Sequence, residues 1–321
     1  MLDVYVYSPD YHYDWNALIK DSRNGTFLFE REFMEYHAGR FDDFSLLVYD
    51  EKKCLAVLPA HRIENKLYSH KGLTYGGLIV RKSLKFAKVA ICMRSIMTYL
   101  DSRKIDEFEV TLTPYIYHQQ PSDDLVYILH ELEAKLVRKQ LNTTVRTAAY
   151  QLQSNRKEGV KKAVKQGLEI REDQDLRPFW QDILVPNLKN RYQTQPVHSE
   201  EEIQFLKSKF PNQIRQFSVY QGNQMVAGAT LFVMDRVVHV QYIASDTNRQ
   251  QLGGLDYLFD YLISIVFAAI PYFDFGTSHD NSSKGINMNL LYWKECFGGR
   301  GVGQDTYRVI TKNADKLSIF E

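Results

Sequence analysis

The stretch Ser245–Val266, SDTNRQQLGGLDYLFDYLISIV, places a polar loop that contains two glycines before a long apolar run. The residues just before it, VVHVQYIA at 237–244, predict a strand, and the apolar run predicts a helix. A strand, a loop rich in main-chain N–H groups and a helix often bind a phosphate together, but they are also an ordinary way to reverse a chain. The rest of the sequence has to distinguish an anion-binding loop from a simple turn.

The composition is that of a globular protein with a substantial core. The chain has 321 residues, of which 44% are hydrophobic and 25% charged, and its length predicts two domains of roughly 150 residues each. A net charge of +1 gives no general attraction to nucleic acid or to an acidic surface. The three cysteines (Cys54, Cys92 and Cys296) are far apart and form no CxxC pair, which favours a reducing compartment and argues against disulfides and zinc.

The sequence shows no signal for export or for membrane insertion. The N-terminal segment MLDVYVYSPDYHYDW lacks the basic start and apolar middle of a signal peptide. The longest apolar run, Leu255–Ile270, contains Asp256 and Asp260 and is too short to span a bilayer. We therefore expect a soluble cytoplasmic protein without a membrane span.

The same order of elements occurs twice along the chain. Each half contains a strand hairpin, another strand, a helix and a further strand. The helix and the strand after it lie at 84–102 and 107–114 in the first half, and at 255–270 and 272–276 in the second. We predict a duplicated α+β unit with a linker within Leu141–Gly159.

This order of elements is similar to that of the GNAT acyltransferase fold, and two motifs strengthen the likeness. GNAT enzymes have a loop of the form Q/R-x-x-G-x-G/A before the helix. Here Gln250-Gln251-Leu252-Gly253-Gly254-Leu255 matches it except at the last position. Many also carry LYxKxGF on a later helix, which here is Leu291–Phe297 (LYWKECF), with Cys296 in place of the glycine.

The tandem arrangement resembles the FemAB-like group, in which two GNAT-like domains follow each other. The segment 155–172 (NRKEGVKKAVKQGLEIRE) resembles the basic helix of that group. The segments 273–278 (FDFGTS) and 292–301 (YWKECFGGRG) resemble its C-terminal signature. The resemblance implies an α+β fold with one GNAT-like domain at 1–145 and another at 146–321, each a mixed, mostly antiparallel sheet flanked by helices.

The same resemblance implies transfer of an acyl group from acyl-CoA, such as acetyl-CoA, to an amine acceptor. The acceptor would be an amino-sugar or another small-molecule or nucleotide-linked precursor of the cell envelope or surface polysaccharide. Two alternatives stay open: transfer of an aminoacyl group from a charged tRNA to a peptidoglycan-type precursor, and a binding protein that has lost the chemistry.

In the functional interpretation, the 249–254 loop binds the donor. Its main-chain N–H groups would face the pyrophosphate of coenzyme A, and the following helix would add its positive N-terminal end. The residues involved would be Arg249, Gln250, Gln251, Gly253 and Gly254. In the structural interpretation the glycines only permit a tight turn. The first half has GGLIVRKSLKFAKV at the corresponding place, with no glycine opening the helix, so we expect a donor site only in the second domain.

Three residues are candidates for the chemistry. Tyr292, at the tyrosine of the LYxK motif, could protonate the departing thiolate, or it could only pack the helix. His239 could be the base, because histidine is the side-chain type most often used for proton transfer, although a strand histidine is commonly structural. Lys294, in the same motif as Tyr292, could bind the acceptor or act in the reaction, or it could be a solvated helix lysine.

Three basic residues could contact an acidic acceptor. Lys284 lies in a Gly/Asn/Ser-rich segment near the motif, Arg300 could face a cleft or belong to a turn, and Arg156 opens a basic run that could read phosphate or simply face solvent. No HExxH, P-loop or GxSxG motif is present, and no metal site is predicted.

Overall fold

The computed structural model describes residues 2–247, 250–279 and 285–320. The chain forms two compact units, Met1–Gln140 together with Gly303–Glu321, and Leu141–Val302. The first boundary, at 140/141, lies near the expected division at 145/146, and a second boundary at 302/303 arises because residues 303–321 return to the first unit. There Thr306–Ile310 pair with Glu107–Thr111, a pairing between residues too distant in sequence for local patterns to predict.

The first unit alternates short strands with helices. Its strands are β1 (Asp3–Val6), β2 (Asp42–Asp43), β3 (Leu46–Asp50), β4 (Lys53–Leu58), β5 (His61–Ile63), β6 (Lys66–Tyr68), β7 (Ile79–Val80) and β8 (Glu107–Thr111). Its helices are α1 (His12–Lys20), α2 (Arg31–Met34), α3 (Phe86–Ser102) and α4 (Asp124–Glu131). A 3-10 segment, Thr311–Phe320, packs on α3 and ends the chain.

The strands of the first unit form two groups. β1, β3, β4 and β7 make an antiparallel sheet in that order, and β2, β5, β6 and β8 make the other, in which only β6 and β8 are parallel. The predicted helix at 84–102 is α3, and its apolar face lies in the core beside Leu46, Val48 and Phe108.

The second unit begins within β9 (Lys135–Arg146) and ends within β15 (Arg300–Ile310). Its other strands are β10 (Leu168–Asp173), β11 (Ile214–Gln221), β12 (Gln224–Val233), β13 (Val237–Ser245) and β14 (Tyr272–Thr277). Its helices are α5 (Ser154–Lys165), α6 (Val185–Tyr192), α7 (Glu200–Lys209), α8 (Gly254–Tyr261) and α9 (Met288–Glu295). One turn of π-helix precedes α6 and another extends α8.

The sheet of the second unit has the order β10-β11-β12-β13-β14-β9. All neighbours are antiparallel except β13 and β14. The predicted linker is in part a strand, because residues 142–146 of β9 pair with β14 and Thr143 and Val145 are buried. Polar and β-branched residues in this segment pair with a strand remote in sequence, so the local pattern resembles a linker. The mixed, mostly antiparallel sheets with flanking helices confirm the predicted α+β class.

No helix in the described part of the chain is long and apolar enough to cross a bilayer.

Candidate functional site

The strands β13 and β14 separate shortly after they begin. They are parallel neighbours only at Val237–His239 and Tyr272–Asp274. β13 also has a bulge at Gln241, where its register with β12 shifts by one residue. Beyond this point β13 continues beside β12 alone, and a cleft lies along the side that β14 has left.

The edge of β13 that faces this cleft carries open main-chain groups. Asp246 N donates to Val226 O at 2.9 Å, and alternate residues of an antiparallel strand direct their N–H and C=O to the same neighbour. Ala244 therefore faces β12, whereas Ile243 and Ser245 direct their main-chain groups away from β12. Ser245 O on this side accepts a bond from Asn187 Nδ2 at 2.9 Å, which fixes α6 to the end of β13.

The cleft has a volume of about 880 Å³ and lies entirely within the second unit. Its walls come from α5, α6, the start of β12, the end of β13, the start of α8, the residues that follow β14, and α9. Its lining residues include Arg156, Asn187, Ile243, Gly254, Asp256, Ser278, His279, Leu290 and Trp293. Of the predicted donor-binding residues, Gln250, Gly253 and Gly254 line the cleft, and Gln251 does not.

The two glycines of the loop have different roles. Gly253 has φ +76°, and a Cβ there would lie 2.3 Å from the carbonyl oxygen of Gly159 on α5. A Cβ at Gly254 would make only ordinary contacts, the nearest at 3.5 Å to Ala227. Gly253 is thus required by the close packing of α5 on the start of α8, whereas Gly254 begins α8 with its surface open to the cleft.

A partly buried ion pair lies at the start of α8. Arg156 Nη1 donates to both carboxylate oxygens of Asp256, at 3.1 and 3.2 Å, and Trp293 Nε1 donates to Asp256 Oδ1 at 3.1 Å. Burial raises the pKa of Asp256, and the Arg156 guanidinium opposes this shift. Arg156 lines the cleft, and its charge is compensated by Asp256.

α5 is the predicted basic helix, and small residues form its buried face. Ala163 is buried and Gly159 lies against Asp256, whereas Val164 is 57% exposed. The helix contacts α8 through its small residues, because only they allow the two helices to approach so closely.

His239 lies where β13 and β14 separate, next to the cleft walls and not among the residues that line it. Its Nδ1 is 3.0 Å from Oδ2 of Asp274, its cross-strand neighbour. Asp274 is fully buried, and its Oδ1 accepts bonds from Thr144 Oγ1 and Gly276 N at 2.9 and 3.0 Å. Gly276 has φ +65°, and a Cβ there would lie 3.1 Å from the imidazole. The imidazole therefore packs against the point where β14 turns away.

Lys294 reaches the same turn from α9. Its side chain is buried (3% exposed), and Nζ donates to Gly276 O at 3.1 Å and to Thr277 O at 2.7 Å. Burial lowers the pKa of Lys294 to about 8, and Asp274 opposes this shift. Lys294 is thus a buried residue that binds two carbonyl groups of β14. It is neither a solvated lysine nor a residue of the cleft wall.

The remaining predicted residues lie apart from the cleft wall or outside the described residues. The Tyr292 side chain is 56% exposed and its hydroxyl is 3.4 Å from Asn155 Nδ2. Arg300 is the exposed first residue of β15, and its Nη1 donates to Gly299 O at 2.6 Å. Arg249 and Lys284 fall outside the described residues.

The cleft contains residues that the sequence patterns did not single out. His279 follows β14; its N donates to Thr277 Oγ1 at 3.0 Å, and its Nε2 accepts from Leu141 N at 3.2 Å. A neutral imidazole that accepts at Nε2 carries its proton on Nδ1. Trp293 is one residue of the LYWKECF motif with no role implied by the motif, and its indole N–H donates to Asp256. The FDFGTSH ending of a predicted strand was the available signal for His279, since functional side chains often follow strand ends.

Among the described residues, no group of three or more His, Cys, Asp or Glu side chains is arranged to hold a metal ion.

Comparison with known proteins identifies the fold. No protein-family model and no curated protein matches the sequence. The structure of FemX matches with a TM-score of 0.68 and 10% identity, over 99% of this chain and 100% of that one. The C-terminal domain of a putative lysylphosphatidylglycerol synthetase from Agrobacterium fabrum matches with a TM-score of 0.60 and 11% identity, over 96% of this chain and 94% of that one.

A third match names the arrangement directly. A tandem GNAT protein from the clavulanic acid biosynthesis pathway matches with a TM-score of 0.53 and 7% identity, over 97% of this chain and 99% of that one. These likenesses extend over nearly the whole of each chain, so they include both units. The chain therefore has the fold of these tandem GNAT proteins, as its motifs predict.

Proposed function

We propose that the protein is an N-acyltransferase that moves an acyl group from acyl-CoA to an amine in the cleft of the second unit. The observation that carries the proposal is the separation of β13 from β14 after His239, which opens a cleft beside the start of α8. The acceptor would be an amino-sugar or a related precursor of the cell envelope or surface polysaccharide.

The shape and polarity of the cleft support a donor with an amide-bearing arm. The main-chain N–H and C=O of Ile243 face the space left by β14, and such groups pair well with an extended chain of amides like pantetheine. Gly254 and Leu255 place first-turn N–H groups at one end of the cleft, where a pyrophosphate would be favoured by the helix dipole. Arg249 stays a predicted phosphate contact.

In the proposed reaction the amine nitrogen bonds to the thioester carbon, and the carbon–sulfur bond breaks. The amine loses one proton overall and the departing thiolate gains one. His279 lines the cleft and its Nε2 accepts from Leu141 N, so we assign its Nδ1–H as a hydrogen-bond donor to the leaving sulfur, which takes up the proton that the amine loses. Tyr292 is exposed, and we do not assign it a role in this scheme.

His239 and Lys294 act in this proposal as positioning residues. His239 and Asp274 form the last cross-strand pair before the separation, and Lys294 holds the two carbonyl groups where β14 turns away. Together these residues hold β14 at the point where it turns away from β13. Lys284 and Arg300 remain predicted acceptor contacts.

Aminoacyl transfer from a charged tRNA is a second candidate, and the first turn of α8 favours it. Leu255 stands where the motif has a small residue, and the Asp256 carboxylate already occupies the first turn, where it interacts with the positive end of the helix. Both features reduce the space and the field available to a pyrophosphate.

Thermal shift with coenzyme A, acetyl-CoA and total aminoacyl-tRNA would test the donor. A ligand present at 100 times its Kd stabilises the folded protein by about 2.7 kcal/mol. We expect a shift with acetyl-CoA in the wild type and its loss in Leu290→Trp, which fills the cleft. Met288→Trp is the matched control, because Met288 is on the same helix, is 60% exposed and does not line the cleft.

If only charged tRNA raises the unfolding temperature, and this effect weakens steeply with salt, the donor is aminoacyl-tRNA and not acyl-CoA. A shift with acetyl-CoA but no release of free thiol with any amine of a panel of amino-sugars would indicate a binding protein. No shift with any of the three would contradict the proposal.

A further inference from the structure

A groove in the first unit, separate from the cleft described above, has the features of a peptide-binding site. Its volume is about 680 Å³, and it lies between β1, the C-terminal end of α3 and the β2–β5 region. Its lining residues are Val4, Tyr5, Val6, Phe44, Arg62, Tyr99 and Arg103. The proposed transfer reaction uses none of them.

One wall of this groove is the open edge of a sheet. β1 is the terminal strand in the order β1-β3-β4-β7. Tyr7 N donates to Ser45 O at 2.8 Å, in register with the pairing of Tyr5 and Leu47. The alternation of an antiparallel strand therefore directs the N–H and C=O groups of Val4 and Val6 away from β3, and both residues line the groove.

β1 has some of the features that protect an edge strand and lacks others. It is only four residues long and carries Asp3, but its sequence DVYV contains no lysine or proline, and its register with β3 has no bulge. Its Tyr5 side chain is 41% exposed. A strand edge with outward main-chain groups can accept a further strand through hydrogen bonds.

The other walls supply positive charge and aromatic rings. Arg62 lies 5.8 Å from the centre of the Phe44 ring and donates through Nε to Glu64 O at 2.6 Å. Arg103 lies 5.1 Å from the centre of the Tyr99 ring. Within the described part of the chain, neither guanidinium has a carboxylate within 4.0 Å, although Asp42 is the cross-strand neighbour of Arg62.

Several other arginines in this unit are neutralised. Arg23 pairs with Asp124 at 2.8 Å, and Arg31 pairs with both Glu35 and Asp43. The two groove arginines therefore differ from these in keeping their charge available to a ligand carboxylate, which guanidinium groups bind well.

We propose that this groove binds an extended acidic peptide segment of a partner protein, which adds to β1 as a new strand. The main chain of the segment pairs with Val4 and Val6. Its acidic side chains meet Arg62 and Arg103, and its apolar side chains pack against Tyr5, Phe44 and Tyr99. A free anion would use the arginines but not the strand edge, so the two kinds of ligand differ in their need for main-chain N–H groups.

Fluorescence anisotropy with three labelled peptides would test this proposal. The probes are capped EVEVEVE, capped KVKVKVK, and EVEVEVE with every second amide N-methylated. We expect EVEVEVE to bind at least ten-fold more tightly than KVKVKVK, and the N-methylated peptide to lose most of that affinity. Equal binding of EVEVEVE and its N-methylated form, or no binding of EVEVEVE at millimolar concentration, would overturn the proposal.

Matched variants of the protein locate the site. Arg103→Gln should weaken EVEVEVE binding by five-fold or more, whereas Lys104→Gln, an adjacent exposed charge outside the lining, should change it by less than two-fold. Val4→Pro removes an outward N–H from the edge while the β1–β3 ladder stays intact, and should abolish binding without unfolding. A dimer at high concentration that Val4→Pro dissolves would instead assign the edge to a second copy of the chain, and overturn the proposal.

Discussion

Both units contain a pair of parallel strands that is three residues long, and the two pairs end differently. In the first unit Lys66–Tyr68 of β6 pair with Glu107–Glu109 of β8. The chain then leaves β8 but returns to it, because Gly76 N donates to Thr111 O at 2.8 Å and Thr113 Oγ1 donates to Gly76 O at 3.0 Å. In the second unit β13 leaves β14 after His239 and no such return is seen among the described residues.

What fills the space beyond each pair also differs. In the first unit the Leu125 side chain packs on Gly77, where a Cβ would lie 3.1 Å from Leu125 Cδ2. Nearby, Arg23 donates to Leu84 O at 2.9 Å and to Ser122 Oγ at 3.2 Å. In the second unit Leu290 of α9 lines an open cleft. The comparison teaches that one strand pattern can close into core or remain a cleft, according to whether the chain refills the space.

The largest effect is expected at the turn that opens α8. Gly253→Ala should lower the free energy of unfolding by about 2–4 kcal/mol, because the residue has a left-handed φ and its Cβ would overlap Gly159 O. Gly254→Ala, one residue later with ordinary clearance, should change it by less than about 0.5 kcal/mol. Urea unfolding of the two variants measures both, and equal losses would show that the two glycines are not distinguished by packing.

The second prediction compares Leu125, which fills the space in the first unit, with Leu290, which lines the cleft in the second. Leu125→Ala should cost about 2–3 kcal/mol of unfolding free energy, because Leu125 is buried in the closed space of the first unit. Leu290→Ala should cost less than about 1 kcal/mol, since one side of Leu290 faces the cleft. Urea unfolding again gives the two values. A cost at Leu290 as large as that at Leu125 would mean that the cleft is filled as tightly as the core.

The third prediction concerns Lys294 and the way in which its contribution to the unfolding free energy depends on pH. The pKa of Lys294 is about 8 in the folded protein, through burial, and about 10.4 in an unfolded chain. Between these values the unfolded state binds more protons, so the unfolding free energy of the wild type should rise with pH relative to Lys294→Met. We expect the difference to grow by roughly 1–2 kcal/mol from pH 8 to 9.5. A difference that stays constant or falls over this range would show that Lys294 is not buried as described.

The smallest effect is expected at Tyr292. Tyr292→Phe should leave kcat for acetyl transfer within about two-fold of the wild type, because the side chain is exposed and lies outside the cleft wall. His279→Ala should lower kcat by about 10–100-fold, because the charge that develops on the sulfur loses a hydrogen-bond donor. Steady-state release of free thiol measures both rates. The opposite ranking would restore Tyr292 as the acid, as the LYxK motif predicts.

Much of the fold could be predicted from the sequence, because periodicity is a local property. The helix at 84–102 and the strands around residues 214–245 follow from apolar spacing, and they lie where it places them. The second boundary, at 302/303, could not be predicted. It depends on strand pairing between Thr306 and Thr111, which no local pattern reports.

The candidate site was predictable in part, and α9 shows why. Leu290 and Trp293 face the cleft, Lys294 is buried against β14, and Tyr292 faces outward. Apolar residues occur on every side of this short helix, so its periodicity does not orient it. The motif predicts where the helix lies in the sequence, but not which of its faces turns toward the cleft.

The sequence by itself determined the order of elements, the loop with two glycines and the likeness to a tandem GNAT protein, since these depend on neighbouring residues. Only the tertiary structure decided that Gly253 serves packing while Gly254 faces a cleft, because that depends on Gly159 of α5. It also decided that β13 separates from β14 and stays separate. The cleft exists because no segment of the described chain refills that space, and refilling is a matter of contacts between residues far apart in sequence.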